Sequence, residues 1–262
     1  MLVLLDPARR PVIGHRGDRA HAPENTLESL RQALAKGVDA LEFDLHLSRD
    51  GVPVLMHDPT LDRTTDGRGA VSARTLAELH ALDAGACFTP DGGRTFPWRG
   101  RGVRIPTLEE ALADAPTLPL IIELKTVEVA RPALEILRRT GDTGRVLIGS
   151  FLDDALRPFQ DVGIPVSAAS AELTRLYLPA VFGRRLSRQA LPFQAMCIPR
   201  FHRRILPVPV RRYAAMMRAA GGATHVWTVN DPIVARRLWA KGVNGIISDD
   251  PAAILAARGG AA

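Results

Sequence analysis

Two histidines, an arginine, a lysine and three acids stand at or near the ends of apolar runs in this chain. His15 and Arg16 follow Pro11-Val12-Ile13-Gly14, and His57 follows Val52-Pro53-Val54-Leu55-Met56. Glu42 and Asp44 flank Phe43 between Leu41 and Leu45, and Glu123 and Lys125 flank Leu124 after Leu120-Ile121-Ile122. Residues two apart on a strand share a face, so each flanking pair projects together. Two acids inside an apolar run are costly unless something neutralises them, and a divalent cation of the Mg2+ or Ca2+ type takes carboxylate oxygens. Glu123 completes a three-carboxylate metal set with Glu42 and Asp44. Two histidines suit one proton taken and one given near neutral pH. The planar donor fork of Arg16 suits a phosphate, and Lys125 either meets a phosphate oxygen or sits at the surface. The set is an inventory for metal-assisted phosphodiester chemistry, with His15, His57 and Arg16 as its catalytic candidates.

Two further positions stay open. Glu24 either approaches the metal or orients Arg16, and Trp227 is either core or a wall of the substrate pocket. Asn25, followed three residues later by Glu28, reads as the N-cap of a helix closed by a capping box.

Positioning these residues takes a particular scaffold. Short β-branched runs at 12–15, 40–47, 52–57, 120–124, 146–149, 164–168, 195–198, 225–229 and 245–248 alternate with helix patterns at about 26–36, 108–113, 129–139, 153–160, 210–220 and 232–241. Such alternation over 262 residues predicts an α/β fold, a (β/α)8 TIM barrel forming one domain over 1–262. Nine runs are one too many. Only Ser48-Arg49-Asp50-Gly51 separates 40–47 from 52–57, a hairpin turn too short for a parallel crossover. Residues 52–57 are therefore expected as an antiparallel return arm after the second strand; if Leu47 faces Val52, Glu42 faces His57. The stretch 58–104, rich in Gly and Pro around one short helix pattern at 75–81, reads as a loop-rich insertion covering one end of the barrel.

Composition narrows the setting. With 46% hydrophobic residues the chain can bury a large core. Cys87 and Cys197 have no metal-type spacing and make a disulfide framework unexpected. The start MLVLLDPARRP has too short an apolar run for a secretory signal, and no run matches a membrane span. A cytoplasmic location, or one peripheral to a membrane, is expected.

The quoted residues fall into pieces that resemble the glycerophosphodiester phosphodiesterase family. These are His15-Arg16-Gly17, Pro23-Glu24-Asn25-Thr26, Glu42-Phe43-Asp44, Asp50-Gly51-Val52-Pro53-Val54, His57-Asp58, Leu61-Asp62-Arg63-Thr64-Thr65, Ile105-Pro106-Thr107-Leu108, Glu123-Leu124-Lys125, Val226-Trp227-Thr228-Val229-Asn230 and Gly245-Ile246-Ile247-Ser248-Asp249. They run in family order over nearly the whole chain, though the match is poor between about 173 and 218. The resemblance implies a phospholipase-C-like phosphodiesterase barrel. It implies a metal at Glu42, Asp44 and Glu123, acid–base work by His15 and His57, and phosphate contacts from Arg16 and Lys125. It further implies hydrolysis of glycerophosphodiesters to glycerol 3-phosphate and an alcohol, by attack of the glycerol C2 hydroxyl through a cyclic phosphate; which histidine is acid and which base stays open.

From Leu173 to Asn230 there is no acid, while ten arginines occur at positions 175, 184, 185, 188, 200, 203, 204, 211, 212 and 218. This is either a solvated helical insertion or a patch for an anionic membrane surface. The second reading would move the substrate towards lysophospholipids, making the enzyme a lysophospholipase D. Few aromatics interleave to stack bases, so nucleic acid is not an expected partner. A non-catalytic barrel binding a phosphodiester or a protein is the alternative of another class; oligomeric state is open.

Overall fold

Parallel strands β1 (Val12–His15), β2 (Ala40–Leu47), β4 (Leu120–Leu124), β5 (Val146–Gly149), β6 (Ala195–Pro199), β9 (Ala223–Trp227) and β10 (Gly245–Ser248) form the inner wall of the computed structural model, which describes residues 1–184, 191–202 and 206–259. The strand order is β5-β4-β2-β1-β10-β9-β6. The eighth stave, 164–168, is expected as a regular strand but makes only single parallel bridges, Ile148 with Val166 on one side and Ser167 with Ala195 on the other. Pro165 has no N–H to give a ladder. Its carbonyl accepts from Ile148, and Ser167 donates to the Ile148 carbonyl, which is enough to make the wall a nearly closed eight-stave TIM-type barrel.

Helices α1 (Leu27–Ala35), α3 (Leu108–Asp114), α4 (Ala130–Thr140), α5 (Asp153–Gln160), α7 (Val210–Ala219) and α8 (Pro232–Ala240) fall within a residue or two of the sequence expectation. Two further helices, α6 (Ser170–Val181) and α9 (Pro251–Gly259), lie outside the named helix patterns; Pro179 inside α6 blurs its pattern, in the stretch read only as a helical insertion. Strands covered on both faces read as continuous apolar runs, and their two parities divide the core. Outward residues such as Leu41, Phe43, Leu45, Ile122 and Ile148 pack under the helices. Inward residues Ile13, Ala40, Ile121, Leu147, Ala195, Ala223 and Ile247 fill the barrel floor around Leu4, which lies on a short 3-10 turn, Val3–Leu5. The inward parity of β2 runs Ala40, Glu42, Asp44, and that of β4 runs Ile121, Glu123. Above an apolar floor, the next inward positions are therefore the acids.

The return arm is β3, Pro53–Leu55, antiparallel to β2. Its register differs from the expected one by one residue: Leu47 pairs with Pro53 and Leu45 with Leu55. Ser48 donates its N–H to Val52 O, and Gly51 takes a φ of +83° in the three-residue turn. Three residues, rather than four, span the turn because glycine supplies the left-handed position that a type I turn with a bulge needs. Glu42 thus does not face His57 across the hairpin; His57 reaches the site from beyond the end of the ladder.

The insertion 58–104 carries α2 (Leu76–His80) and its own apolar cluster around Leu61, Val71, Leu79, Val103 and Ile105 beside the return arm. A small hairpin, β7 (Phe201–His202) with β8 (Leu206–Pro207), follows β6. Of the arginine-rich stretch, Arg185, Arg188, Arg203 and Arg204 lie outside the described residues.

Candidate active site

Strand register assembles the centre. His15 pairs with Glu42 across β1 and β2, and Asp44 pairs with Glu123 across β2 and β4. Glu42, Asp44 and Glu123 offer oxygens that all lie within 4.8 Å of one another, so this all-oxygen set could hold a divalent cation of the hard type. Lys125 Nζ stands 2.7 Å from Asp44 Oδ1 and 2.6 Å from Glu123 Oε1, and Arg16 Nε is 3.1 Å from Asp44 Oδ2. Lys125 is therefore half-buried among these acids and not a surface lysine.

Two cations against three carboxylates, Glu42 and Asp44 buried and Glu123 half-buried, leave a deficit, and it falls on Glu42. Burial, then repulsion from Asp44 and Glu123, pushes its carboxyl well above the usual range. Burial also raises Glu123, against the pull of Lys125. In Asp44 burial acts upwards too, but Lys125, Arg16 and His57 outweigh it and hold the group below its ordinary value. A carboxylate cluster short of positive charge could be balanced by a divalent cation.

Asn25 answers to this cluster and not to a helix. Thr26 is the N-cap of α1, its Oγ1 accepting from Ser29 N at 3.3 Å. Asn25, at φ +57°, donates Nδ2 to Asp44 Oδ2 (2.9 Å) and accepts the Asp44 N–H at Oδ1 (3.1 Å). A side-chain amide supplies both a donor and an acceptor, and asparagine tolerates the left-handed region better than most residues. Arg16, also left-handed at φ +54°, donates its backbone N–H to Glu42 Oε2 at 3.0 Å.

Each histidine has a carboxylate behind it. His15 Nδ1 is 2.6 Å from Asp249 Oδ1, and His57 Nδ1 is 2.6 Å from Asp58 Oδ1. With Nδ1 held, Nε2 is left for the cleft; His15 Nε2 lies 4.0 Å from Glu42 Oε2. Burial foremost holds His57 below its ordinary value, keeping the ring neutral near pH 7. Burial would raise Asp249, but hydrogen bonds from His15 and Asn230 bring it down to about 2. Arg63 does the same for Asp58, again to about 2.

Glu24 is not part of the three-carboxylate group and orients Arg16 instead. Its carboxylate takes Arg16 Nη1 at 2.6 Å, Arg19 Nε at 2.8 Å and the Arg63 fork at 2.7 and 2.8 Å. Arg63 Nε reaches Asp58 at 2.6 Å and Arg19 Nη1 reaches Asp249 at 3.4 Å. The two histidines are thus joined by one chain of ion pairs, His15–Asp249–Arg19–Glu24–Arg63–Asp58–His57. Sequence reading missed Asp249, Asp58, Arg19 and Arg63 in these positions. The only local signal was that Asp58 adjoins His57 and that Asp249 follows the last strand at the same end as His15.

His15, Arg16, Glu42, His57, Glu123 and Lys125 all line one cleft of about 600 Å³ including its mouth. Trp227 is a wall of this cleft, edge-on to Phe151 with ring centroids 6.2 Å apart. Cys197 lines it as well, its thiol pushed up by burial and by Glu42 and Glu123, so it stays protonated.

Comparison with known proteins agrees with this geometry. The profile of the glycerophosphoryl diester phosphodiesterase family matches residues 15–157 and 167–253. A glycerophosphodiester phosphodiesterase of Caldanaerobacter subterraneus is 33% identical over 252 residues, 93% of this chain and 96% of the relative. A solved phosphodiesterase of Oleispira antarctica, in complex with the product sn-glycerol-3-phosphate, superposes with a TM-score of 0.76 at 31% identity, covering 96% of this chain and 97% of that one. The corresponding domain of a Mycobacterium tuberculosis protein shares the fold at TM-score 0.80 and 24% identity, covering 95% and 98%. The chain therefore belongs to the glycerophosphoryl diester phosphodiesterase family, a family of phosphoric diester hydrolases.

Proposed function

We propose that the enzyme hydrolyses glycerophosphodiesters to glycerol 3-phosphate and an alcohol, with a divalent cation (Mg2+ or Ca2+) held by Glu42, Asp44 and Glu123. The observation that carries this reading is the pair of aspartate-backed histidines lining the same cleft as a cation-deficient carboxylate cluster. The product complex of the Oleispira antarctica relative supports the product assigned.

When bound, the cation supplies charge to the phosphoryl oxygens and makes a nearby hydroxyl more acidic. The protein's own residues do the rest. Arg16, braced by Glu24, and Lys125 bind the phosphoryl oxygens and stabilise charge gathering there. One histidine takes the proton of the glycerol C2 hydroxyl as its oxygen attacks phosphorus; the other protonates the departing alcohol. The cyclic phosphate so formed is opened by water, with the proton transfers reversed. An internal nucleophile gains from proximity, and Trp227 with Phe151 forms an aromatic wall of the cleft.

The test is release of glycerol 3-phosphate from several headgroup diesters, with and without chelator, beside calorimetric titration of Mg2+ and Ca2+. Glu42→Gln should abolish both turnover and cation binding in a folded protein. His15→Ala and His57→Ala should each lower kcat by about 10²–10⁴-fold. Full activity in excess chelator would overturn the metal assignment.

A second reading has one observation in its favour. Phe151, which lines the cleft, and its neighbour Leu152 are both more than two-fifths exposed and offer apolar surface to the single acyl chain of a lysophospholipid. The same assay run on lysophospholipid and on its deacylated diester decides between them. Family membership sets aside the non-catalytic barrel.

A further inference from the structure

Helix α6 is apolar on two sides. It turns Leu176 and Ala180 inward, yet leaves Tyr177 (47%), Leu178 (61%) and Phe182, just past its end (78%), exposed. A helix apolar all round is normally covered on both faces. Its position is fixed by two contacts. The Tyr213 phenol donates to Leu173 O at 2.6 Å, and the Arg212 guanidinium lies beside Gly183. Tyr213 and Arg212 belong to the first turn of α7, which follows the C-terminal end of β6 after the β7–β8 hairpin. Both ends of α6 are therefore tied to the mouth end of the barrel, and its N-terminus lies two residues beyond Ala168 of the cleft. Phe201 on the hairpin adds a fourth exposed apolar side chain, with Arg200 over its ring at 5.3 Å.

Beyond Glu172 in the first turn of α6, which turns to Asp153, the charge contributed by this stretch is all positive. Arg175, Arg184, Arg211 and Arg212 are exposed and Arg200 is half-buried. Among the described residues none of the five takes part in an ion pair, although the same chain pairs Arg16, Arg19, Arg63, Arg139 and Arg145 with acids. No carboxylate occurs between 173 and 230 to answer them. Unpaired guanidinium groups around exposed Leu, Tyr and Phe call for a partner that is anionic on its surface and apolar beneath it. Nucleic acid has the phosphates but no apolar phase for Leu178 and Phe182. No described helix is long and apolar enough to cross a membrane, so the contact is interfacial.

We infer that this surface docks the enzyme on an anionic phospholipid bilayer, with Arg175, Arg184, Arg200, Arg211 and Arg212 on the headgroup phosphates and Tyr177, Leu178, Phe182 and Phe201 in the interface. Docked this way, the bilayer lies beside the mouth of the cleft. The inference holds whichever diester is hydrolysed, and vesicle binding reads it without turnover. The experiment is co-sedimentation of the full chain with phosphatidylcholine vesicles, with and without phosphatidylglycerol. Binding should require phosphatidylglycerol and weaken as salt rises. Arg211→Glu with Arg212→Glu should lower it by about tenfold or more, and Leu178→Ser with Phe182→Ser should lower it at unchanged charge, each pair keeping normal turnover of a soluble diester. Equal affinity for the two vesicle types at low salt, or binding unmoved by either pair of substitutions, would overturn the inference and leave an acidic protein as the occupant of this face.

Discussion

Asp249 Oδ1 lies 2.6 Å from His15 Nδ1, a contact between the ends of β10 and β1 across 234 residues of chain. A carboxylate at Nδ1 accepts that proton, so Nε2 presents its lone pair to the cleft. Asp58 stands in the same relation to His57. Asp249→Asn and Asp58→Asn should each lower kcat by about 10²-fold, with KM and cation affinity little changed. An amide can donate to Nδ1 and stabilise the wrong tautomer. Steady-state kinetics beside calorimetric cation titration check this; unchanged kcat in either variant removes that aspartate from the mechanism.

Arg63 bridges Glu24 and Asp58, and through Asp58 it holds His57. Arg63→Met should cost about tenfold in kcat, more than an exposed ion pair would suggest, because its effect passes to a placed proton carrier. Arg63→Lys should recover part of the loss, since an ammonium cannot span two acids as the fork does. In an Asp58→Asn background the Arg63→Met change should add little, because residues in one network are not additive. Additive losses in that double mutant would show that Arg63 acts by another route.

Gly17 has a φ of +86°, and a Cβ there would stand 2.2 Å from Ser29 Oγ and 2.5 Å from Ser29 C. Ser29 Oγ in turn donates to Arg16 O at 2.7 Å. Gly17→Ala must therefore push the β1–α1 loop off α1 and carry Arg16 with it. A stability loss on the order of 2 kcal/mol is expected, with a larger fractional loss of kcat/KM than Ser29→Ala produces. Urea midpoints and kinetics of the two variants test this.

His225 closes the barrel floor, fully buried, its Nε2–H donating to Leu4 O at 2.7 Å. Burial lowers its pKa from 6.5 to about 4. The depressed value means that the folded protein favours the neutral ring. Its contribution is complete above the unfolded value of 6.5 and is lost progressively as pH falls through that value towards 4, on the order of 3 kcal/mol in all. Asp58 and Asp249 act in a separate window, between 3.8 and about 2. Thermal midpoints against pH for the wild type and His225→Leu should converge as pH falls from 6.5 to 4. Parallel curves would show that His225 does not titrate there.

What the sequence by itself determined is local. A strand shows its faces by alternation, so Glu42 with Asp44 and Glu123 with Lys125 were legible as pairs; His15 and His57 were legible because they end apolar runs. The barrel followed from the alternation of runs, and five strand spans, β1, β2, β4, β5 and β10, needed no correction at all. Tertiary structure decided what depends on distance along the chain or on a single backbone angle. The hairpin register turned on one glycine in a turn, the eighth stave on the missing N–H of Pro165, and the role of Asn25 on a left-handed φ that serves Asp44 instead of a helix end. Asp249 and Arg19 meet His15 and Glu24 only once the last strand lies beside the first. Alternation carries no record of which strand ends become neighbours, because that is settled by closure of the barrel and not by any local preference of the residues involved.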